Sequence, residues 1–216
     1  MTHEHNTHRD EPPTCQGGLS SKIQDLRKGE VQGRDRAALL NPRPVALVGA
    51  YRNDTANFAT VAWITPVSHE PALVAFALRA RSLTLEMLKE TQRCSINLID
   101  QSLADLALWC GNHSGHTEDK DAFVPHELSP LPATTKTLPF ITGALSVLTC
   151  SVKSIQEAGD HLLVIVSLEK AYTRCPRDDR GRISPLDTLL CVQHDTFTQA
   201  GEAALPQKHN APPLFE

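Results

Sequence analysis

The chain has 216 residues, of which 40% are hydrophobic and 21% are charged, and its formal net charge is −4. These proportions are typical of a globular protein with a substantial core, and the length predicts one domain once the polar ends are set aside. An acidic balance gives no electrostatic reason to expect nucleic acid or an anionic membrane as a partner, so we expect small-molecule chemistry.

The sequence carries no evident targeting or membrane signal. No stretch approaches the roughly 20 apolar residues that span a bilayer, and residues 1–11 lack the apolar segment of a secretory signal. We therefore expect a cytoplasmic protein. Its six cysteines are scattered without a Cys-x-x-Cys pair, which in that compartment predicts reduced and mostly buried thiols.

The two ends differ in composition from the middle of the chain. Residues 1–18 are rich in His, Pro, Thr and Glu and have no apolar period, so they cannot offset the entropy cost of becoming ordered. We predict a disordered polar N-terminal tail over residues 1–18, a single folded domain over 19–200 and an extended C-terminal tail over 201–216.

Apolar runs of strand length dominate the first half of the domain. Three of them follow one another with short turn-forming links, at residues 45–51, 59–65 and 72–78. Runs of this length between turn signals are typical of strands, so we predict an antiparallel meander.

Two short helices interrupt the strands. The first covers residues 83–90 and follows Ser82, a favourable N-cap. A strand is predicted at 95–99, and a second helix then carries an apolar stripe that Gly111 is expected to end as a C-terminal cap.

The second half of the domain returns to strands after a long polar, proline-rich segment at residues 112–139, which is long enough to be a functional loop. Two strand-like runs, 143–155 and 161–172, flank Glu157-Ala-Gly-Asp, a strong hairpin signal. Strands in hairpin order disfavour a parallel doubly wound sheet and favour closure into a barrel. The absence of GxGxxG and GxxxxGK[ST] argues against a Rossmann or P-loop nucleotide site.

Two segments carry the strongest family signal. Residues 42–48 read PRPVALV, and residues 57–74 read NFATVAWITPVSHEPALV. They resemble the flavin reductase-like family, whose members read approximately PRPVALV and then NxATxxWxTPVSxxPPLV. Shorter matches follow in family order at residues 81–84, 95–99, 114–120 and 159–161. An ordered set of blocks is more specific than any one block.

The resemblance implies a mainly β fold: an FMN-binding split β-barrel, antiparallel and Greek-key-like, with a few short flanking helices. Such proteins are usually homodimers with flavin near the subunit interface. The resemblance, together with the need of a phosphate for cations and hydroxyls, gives a set of cofactor-binding candidates: Thr60, Val61, Ala62, Trp63, Thr65, Ser68, Arg79, Arg81, Ser82 and Thr84. The first four are expected to border the isoalloxazine, partly through backbone groups, and Thr65 and Ser68 to lie in the following loop. The last four are expected to offer cations and hydroxyls to the phosphate, with Arg81 as the first choice.

The family also implies an activity, that of an NAD(P)H-dependent flavin reductase in which hydride passes from nicotinamide to flavin N5. His161, which follows Gly159-Asp160 as in related reductases, is the catalytic candidate that would steer the nicotinamide; a histidine satisfied by Asp160 at the start of a strand is an equally good interpretation. Two other functions stay open. One is an FMN-carrying electron-transfer protein similar to flavoredoxin, and the other is a ligand-binding member without redox activity.

Cys110, His113 and His116 follow one another at intervals of three, as zinc ligands can. No fourth ligand lies nearby, and the family resemblance explains this segment as its Ser-Gly loop, so no metal is expected. Family members often carry arginine where this chain has His116. That change removes a permanent cation from the loop, so the preference for NADH or NADPH cannot be carried over.

Overall fold

The computed structural model describes residues 29–33, 35–129, 137–184, 187–193 and 195–200. The chain divides into two compact units, residues 1–39 and 40–216. The described part of the first unit contains one short helix, α1 (Asp35–Ala38). Both predicted tails, 1–18 and 201–216, lie outside the described residues, and the predicted domain boundaries stay predictions.

The second unit is built mainly from strands. Its elements in chain order are β1 (Arg43–Pro44), β2 (Ala46–Arg52), β3 (Thr55–Val61), β4 (Ile64–Ser68), β5 (Leu73–Arg79), α2 (Leu83–Thr91), β6 (Arg93–Leu98), a 3-10 turn (Gln101–Leu103), α3 (Ala104–Asn112), α4 (Lys120–Phe123), β7 (His126–Leu128), β8 (Pro139–Ile141), β9 (Ser146–Ala158), β10 (His161–Thr173), β11 (Leu189–Gln193) and β12 (Thr196–Gln199).

A seven-stranded antiparallel sheet forms the centre of this unit, in the order β3-β2-β6-β9-β10-β5-β4. Two small sheets accompany it, with the orders β1-β11-β12 and β7-β8. The predicted hairpin between β9 and β10 is confirmed, and Gly159 turns it with a positive φ of 68°. The turn from β2 to β3 is also confirmed, because Asn53 and Asp54 both have positive φ, as a tight hairpin requires.

The predicted meander is wrong, because the run at residues 59–65 is broken at Ala62 and Trp63. Its two halves are β3 and β4, which form opposite edges of the seven-stranded sheet. Across a flat sheet those edges would lie about 29 Å apart, at roughly 4.8 Å per strand spacing. The three Cα steps from Val61 to Ile64 reach only about 11 Å, so the sheet must curl until the end of β3 and the start of β4 lie within that distance.

Alternation along the strands divides the apolar residues between two cores. One core contains Val48, Phe76, Ile96 and Val164, and Leu85 of α2 is buried with them. The other contains residues of opposite parity on the same strands, with apolar residues of α3 and β11: Leu47, Phe58, Ala107 and Leu189. Neighbouring residues on β2 thus serve different cores, as the two-residue period of a strand requires.

The helix predictions hold in outline. Ser82 occupies the N-cap position of α2, although its side chain makes no capping hydrogen bond. The expectation that Gly111 ends the second helix is wrong. The helix α3 runs through Gly111 to Asn112, and it ends because His113 adopts an extended conformation.

The thiol prediction is confirmed for the part of the chain that the structure describes, where Cys94, Cys110, Cys150, Cys175 and Cys191 are all buried and free. Cys15 lies outside the described residues. Within those same residues, none of the helices is long and apolar enough to cross a membrane.

Gly49 of β2 provides a test of the packing. A Cβ atom at this position would lie 2.6 Å from Ser95 Oγ, 2.9 Å from Pro139 Cγ and 3.0 Å from Phe58 Cε1. We expect Gly49→Ala to lower the free energy of unfolding by about 1 to 3 kcal/mol, since overpacking forces several elements apart. Urea denaturation measures this.

The matched control is Gly111→Ala in α3, where the nearest atom to an added Cβ lies at an ordinary 3.5 Å. This change should be neutral or stabilising by up to about 1 kcal/mol, because alanine favours a helix. Equal effects of the two substitutions would contradict the packing described for β2.

Candidate functional site

The outer edge of β3 is satisfied by side chains instead of a further strand. On one side β3 pairs with β2. On the other, Asp121 Oδ1 accepts a hydrogen bond from the Ala56 N–H at 2.6 Å. The Lys120 ammonium donates to the Phe58 carbonyl at 2.9 Å. Edge strands need such covering, because their unpaired backbone groups otherwise invite other strands.

Lys120 also connects this edge to α3. Its ammonium group donates a second hydrogen bond, to the Cys110 carbonyl at 2.7 Å. That carbonyl lies in the last turn of the helix, where the helix dipole favours a cation. The side chain is only 5% exposed, and desolvation by burial lowers the pKa of its ammonium group. Two carbonyl contacts offset part of the cost of burying the charge.

The predicted stretch from Thr60 to Trp63 presents little side chain to a ligand before its last residue. The Thr60 hydroxyl donates to the Ala107 carbonyl of α3 at 2.6 Å. Val61 is buried in the first core, and Ala62 packs partly buried against the second. Trp63, in contrast, is 43% exposed.

The backbone at Thr60 differs from that at the preceding outward positions. In an antiparallel strand, every second residue directs its backbone N–H and C=O to the same edge. The N–H and C=O of Thr60 therefore point to the outer edge of β3, as those of Ala56 and Phe58 do. Among the described residues, none makes a hydrogen bond to these two Thr60 groups. A donor and an acceptor therefore remain open beside Trp63.

Trp63 and His161 form an aromatic pair, with ring centroids 4.8 Å apart. The start of β10 is paired with the end of β5, so that His161 lies opposite Arg79. The His161 Nδ1 atom is 2.7 Å from Asp160 Oδ1, which orients the imidazole ring. The structure thus brings together three residues that the sequence singled out at distant positions.

The remaining candidates are distributed over two elements. Arg81 is exposed, and Ser82 precedes the first turn of α2. Thr65 is exposed on the edge strand β4, whereas Ser68 is half-buried. Thr84 departs from the expectation of a phosphate ligand: it is buried, and its hydroxyl accepts a 2.7 Å hydrogen bond from Asn57. That contact joins α2 to β3.

An open groove of about 480 Å³ lies beside α2 and β3. Its lining includes Arg52, Asn57, Leu83, Gly115 and His116. A Cβ atom at Gly115 would overlap the Asn57 carboxamide, so this close approach of the loop to β3 requires glycine. The His116 Nε2 atom lies 3.3 Å from Glu86 Oε1 of α2, which ties the loop across the groove.

Asn57, Gly115 and Lys120 lie within the family blocks at residues 57–74 and 114–120, but the sequence predicted no role for them. Asn57 could have been noticed, because its amide side chain stands between apolar residues of β3 and is buried. A buried polar group there needs a partner. No pattern pointed to Lys120, because a lysine in a polar loop is usually a solvated charge.

The three residues that are spaced like zinc ligands make other contacts. Cys110 is buried, and burial raises the pKa of its thiol to about 11. The His113 Nδ1 atom lies 2.8 Å from the Trp109 carbonyl oxygen, and His116 faces Glu86. Within the described ranges no three His, Cys, Asp or Glu side chains are grouped to hold a metal ion.

Residues 39–199 match the family model of the flavin reductase like domain. The chain belongs to this family. A flavin reductase of Pseudomonas putida is 31% identical over 107 residues, which cover 49% of this chain and 58% of that protein. The predicted resemblance is confirmed.

Solved structures confirm the fold. An FMN-binding protein from Thermus thermophilus, with bound 1-cyclohex-2-enone, superposes with a TM-score of 0.72 at 24% identity, covering 83% of this chain and 96% of that one. Flavoredoxin from Methanosarcina acetivorans gives a TM-score of 0.70 at 22% identity, covering 82% and 95%. The mainly β split barrel predicted from the sequence is therefore the fold of this chain.

Replacement of Lys120 tests its bridging role. Lys120→Met keeps the length of the side chain but leaves the buried Phe58 and Cys110 carbonyls without a donor. We expect the free energy of unfolding to fall by about 1 to 3 kcal/mol, the usual cost of an unsatisfied buried group. Urea denaturation measures the loss.

Lys153→Met is the control, since Lys153 is exposed on β9. Its effect should stay within about 0.5 kcal/mol, as for most surface substitutions. A Lys120 variant as stable as this control would show that the buried ammonium group contributes nothing to the edge of β3.

Proposed function

We propose that this protein binds FMN at the outer edge of β3 and acts as a flavin reductase, transferring hydride from NADH or NADPH to the flavin. The observation that carries the proposal is the open backbone donor and acceptor at Thr60, next to the pair formed by the exposed Trp63 and the half-buried His161. A flavin ring requires a flat face together with directed hydrogen bonds at its heteroatoms. An exposed strand edge beside an aromatic pair offers both.

The phosphate of FMN is proposed to lie at the start of α2. Arg79 and Arg81 supply positive charge there, and the Ser82 hydroxyl makes no capping hydrogen bond of its own. A helix N-terminus adds backbone N–H groups and a favourable dipole for an anion. The Asn57–Thr84 hydrogen bond holds this end of α2 against β3, so the two parts of the proposed site keep a fixed separation.

FMN, when bound, supplies the capacity to accept two electrons as hydride. The residues of the chain then have positioning roles. Trp63 borders the flavin ring, His161 steers the nicotinamide onto the exposed face of the flavin, and Asp160 holds the imidazole in one orientation. The open N–H of Thr60 would favour negative charge that builds on the flavin, because a fixed donor needs no reorganisation. No side chain is required to act as a nucleophile or as a proton donor.

The partners in this proposal are small-molecule electron donors and acceptors and a second copy of the chain. Homodimerisation is supported by apolar residues left exposed near the site, since Trp63 and Val67 lie at the edge formed by β4. Neither nucleic acid nor a membrane is part of the proposal. The reaction is placed in the cytoplasm, where the free buried thiols would stay reduced.

Binding of FMN is the first test. We expect the purified protein to bind FMN at micromolar concentrations by calorimetry, and Arg81→Ala should cost about 1 to 3 kcal/mol of affinity, the range for a charge-assisted contact. Arg180→Ala removes the same charge from an exposed loop and should leave the affinity unchanged. An Arg81 variant that binds like this control would place the phosphate elsewhere.

Reduction by the donor tests His161. In His161→Ala, stopped-flow measurement should show a Michaelis constant for NAD(P)H about tenfold higher or flavin reduction about tenfold slower, roughly 1.4 kcal/mol, with FMN affinity nearly intact. His69→Ala, at an exposed turn, is the control. Normal kinetics in the His161 variant would make the residue structural. If neither NADH nor NADPH reduces the wild-type protein, the flavoredoxin-like electron carrier becomes the better account.

The oligomeric state tests the shared site. Light scattering should give twice the mass of one chain, and Val67→Asp should shift the protein towards monomer because a carboxylate cannot be buried unpaired in an apolar interface. Lys153→Asp, on an exposed part of β9, should leave the dimer intact. A wild-type monomer that binds FMN tightly would refute a site completed by a second copy.

A further inference from the structure

The charge of Arg43 has no ion-pair partner among the residues that the structure describes. Arg43 pairs with Cys191 in the short ladder of β1 and β11. The guanidinium carbon lies 5.6 Å from the centroid of the Trp63 ring. Its Nε atom is buried and has no hydrogen-bond partner. Within the described ranges, no carboxylate forms an ion pair with Arg43.

Among the described arginines, Arg43 and Arg93 have a buried Nε without a hydrogen-bond partner. Arg52 pairs with Glu90, and Arg182 pairs with Asp178. Arg93 also has a buried Nε without a partner, but its terminal nitrogen pairs with Glu169, so its charge is compensated. More than about 90% of buried polar groups in proteins have a partner. Arg43 has no such carboxylate among the described residues, so its guanidinium charge is available to an anion next to the candidate site.

The surroundings of Arg43 select for the kind of anion. Trp63 contacts both Arg43 and His161. Its ring centroid lies 5.6 Å from the guanidinium carbon of Arg43 and 4.8 Å from the centroid of the His161 ring. Arg79 stands opposite His161 across the β5–β10 ladder. Among the described residues, the carboxylate that contacts His161 is that of Asp160, which is 90% exposed and hydrogen-bonded to the imidazole. Positive charge next to an accessible aromatic ring suits a ligand with both a phosphate and a planar ring.

We propose that Arg43 binds a phosphate group of the nicotinamide dinucleotide and thereby sets the affinity of the protein for its electron donor. The inference rests on the proposed function, in which the nicotinamide is held next to Trp63 and His161. In that function the single phosphate of FMN is assigned to Arg79, Arg81 and Ser82 at the start of α2. Arg43 belongs to a different sheet and approaches the site from the Trp63 side, so it is left for a phosphate of the dinucleotide.

The experiment compares wild type with Arg43→Gln, Arg43→Lys and the exposed control Arg180→Gln, all loaded with FMN. Calorimetry measures the affinities for NAD⁺ and NADP⁺, which bind without turnover, and stopped-flow kinetics measures the Michaelis constants for NADH and NADPH. We expect Arg43→Gln to weaken nucleotide binding at least tenfold and Arg43→Lys to weaken it less, because lysine keeps the charge but not the planar fork. FMN affinity should change by less than about twofold, since the charge-assisted contacts of the flavin phosphate lie elsewhere.

A loss confined to NADP⁺ and NADPH assigns Arg43 to the 2′-phosphate, and an equal loss for both nucleotides assigns it to the pyrophosphate. Unchanged nucleotide affinity in a folded variant overturns the inference, as does a loss confined to FMN. Arg43→Lys decides the matter if Arg43→Gln fails to fold. If the wild type binds nucleotide through Arg43 but is not reduced by it, the proposed reductase activity fails and the Arg43 site stands. A wild type that binds neither nucleotide overturns the Arg43 site itself.

Discussion

The buried ammonium group of Lys120 is the contact on which the candidate site depends. β3 is an edge strand, and its outward N–H and C=O groups need partners. Asp121 and Lys120 satisfy two of them at Ala56 and Phe58, and Lys120 reaches on to α3 at Cys110. This places a charged group in a buried position at a desolvation cost, which two carbonyl contacts and the end of a helix reduce. These side-chain contacts end before Thr60. The backbone groups of β3 are therefore satisfied beside Lys120 and Asp121, and those of Thr60 stay available to a ligand.

Closure of the barrel explains why the aromatic pair lies beside that opening. The link from β3 to β4 joins the two edges of a seven-stranded sheet and is too short to cross it unless the sheet curls. Trp63 lies in this link, and its carbonyl accepts a hydrogen bond from Ala77 of β5 at 3.0 Å. Because β5 also pairs with β10, the indole meets His161. The position of the aromatic pair is thus a consequence of closure and not of neighbouring positions in the sequence.

The sequence allowed most strands and both hairpin turns to be predicted, because apolar runs of strand length and turn residues report local geometry directly. The split barrel followed from the family resemblance. The division of residues 59–65 into two strands escaped prediction, since an unbroken apolar run does not record which sheet edge each half joins. Thr84 was assigned to phosphate from its place in a motif, but its burial depends on Asn57, a contact across 27 positions. Lys120 escaped for the same reason, because its partners become neighbours only when β3 and α3 pack together. Of the candidate site, sequence reasoning supplied the residue set, and the structure supplied which side chains face a ligand.

Amide hydrogen exchange, followed residue by residue by NMR with and without FMN, tests the proposed pairing of FMN with the open edge of β3 at Thr60. We expect the Thr60 amide to exchange more slowly when FMN is added, while the Ala56 amide, already hydrogen-bonded to Asp121, exchanges at an unchanged rate. A Thr60 amide whose exchange is unaffected at saturating FMN would show that the flavin does not pair with this edge.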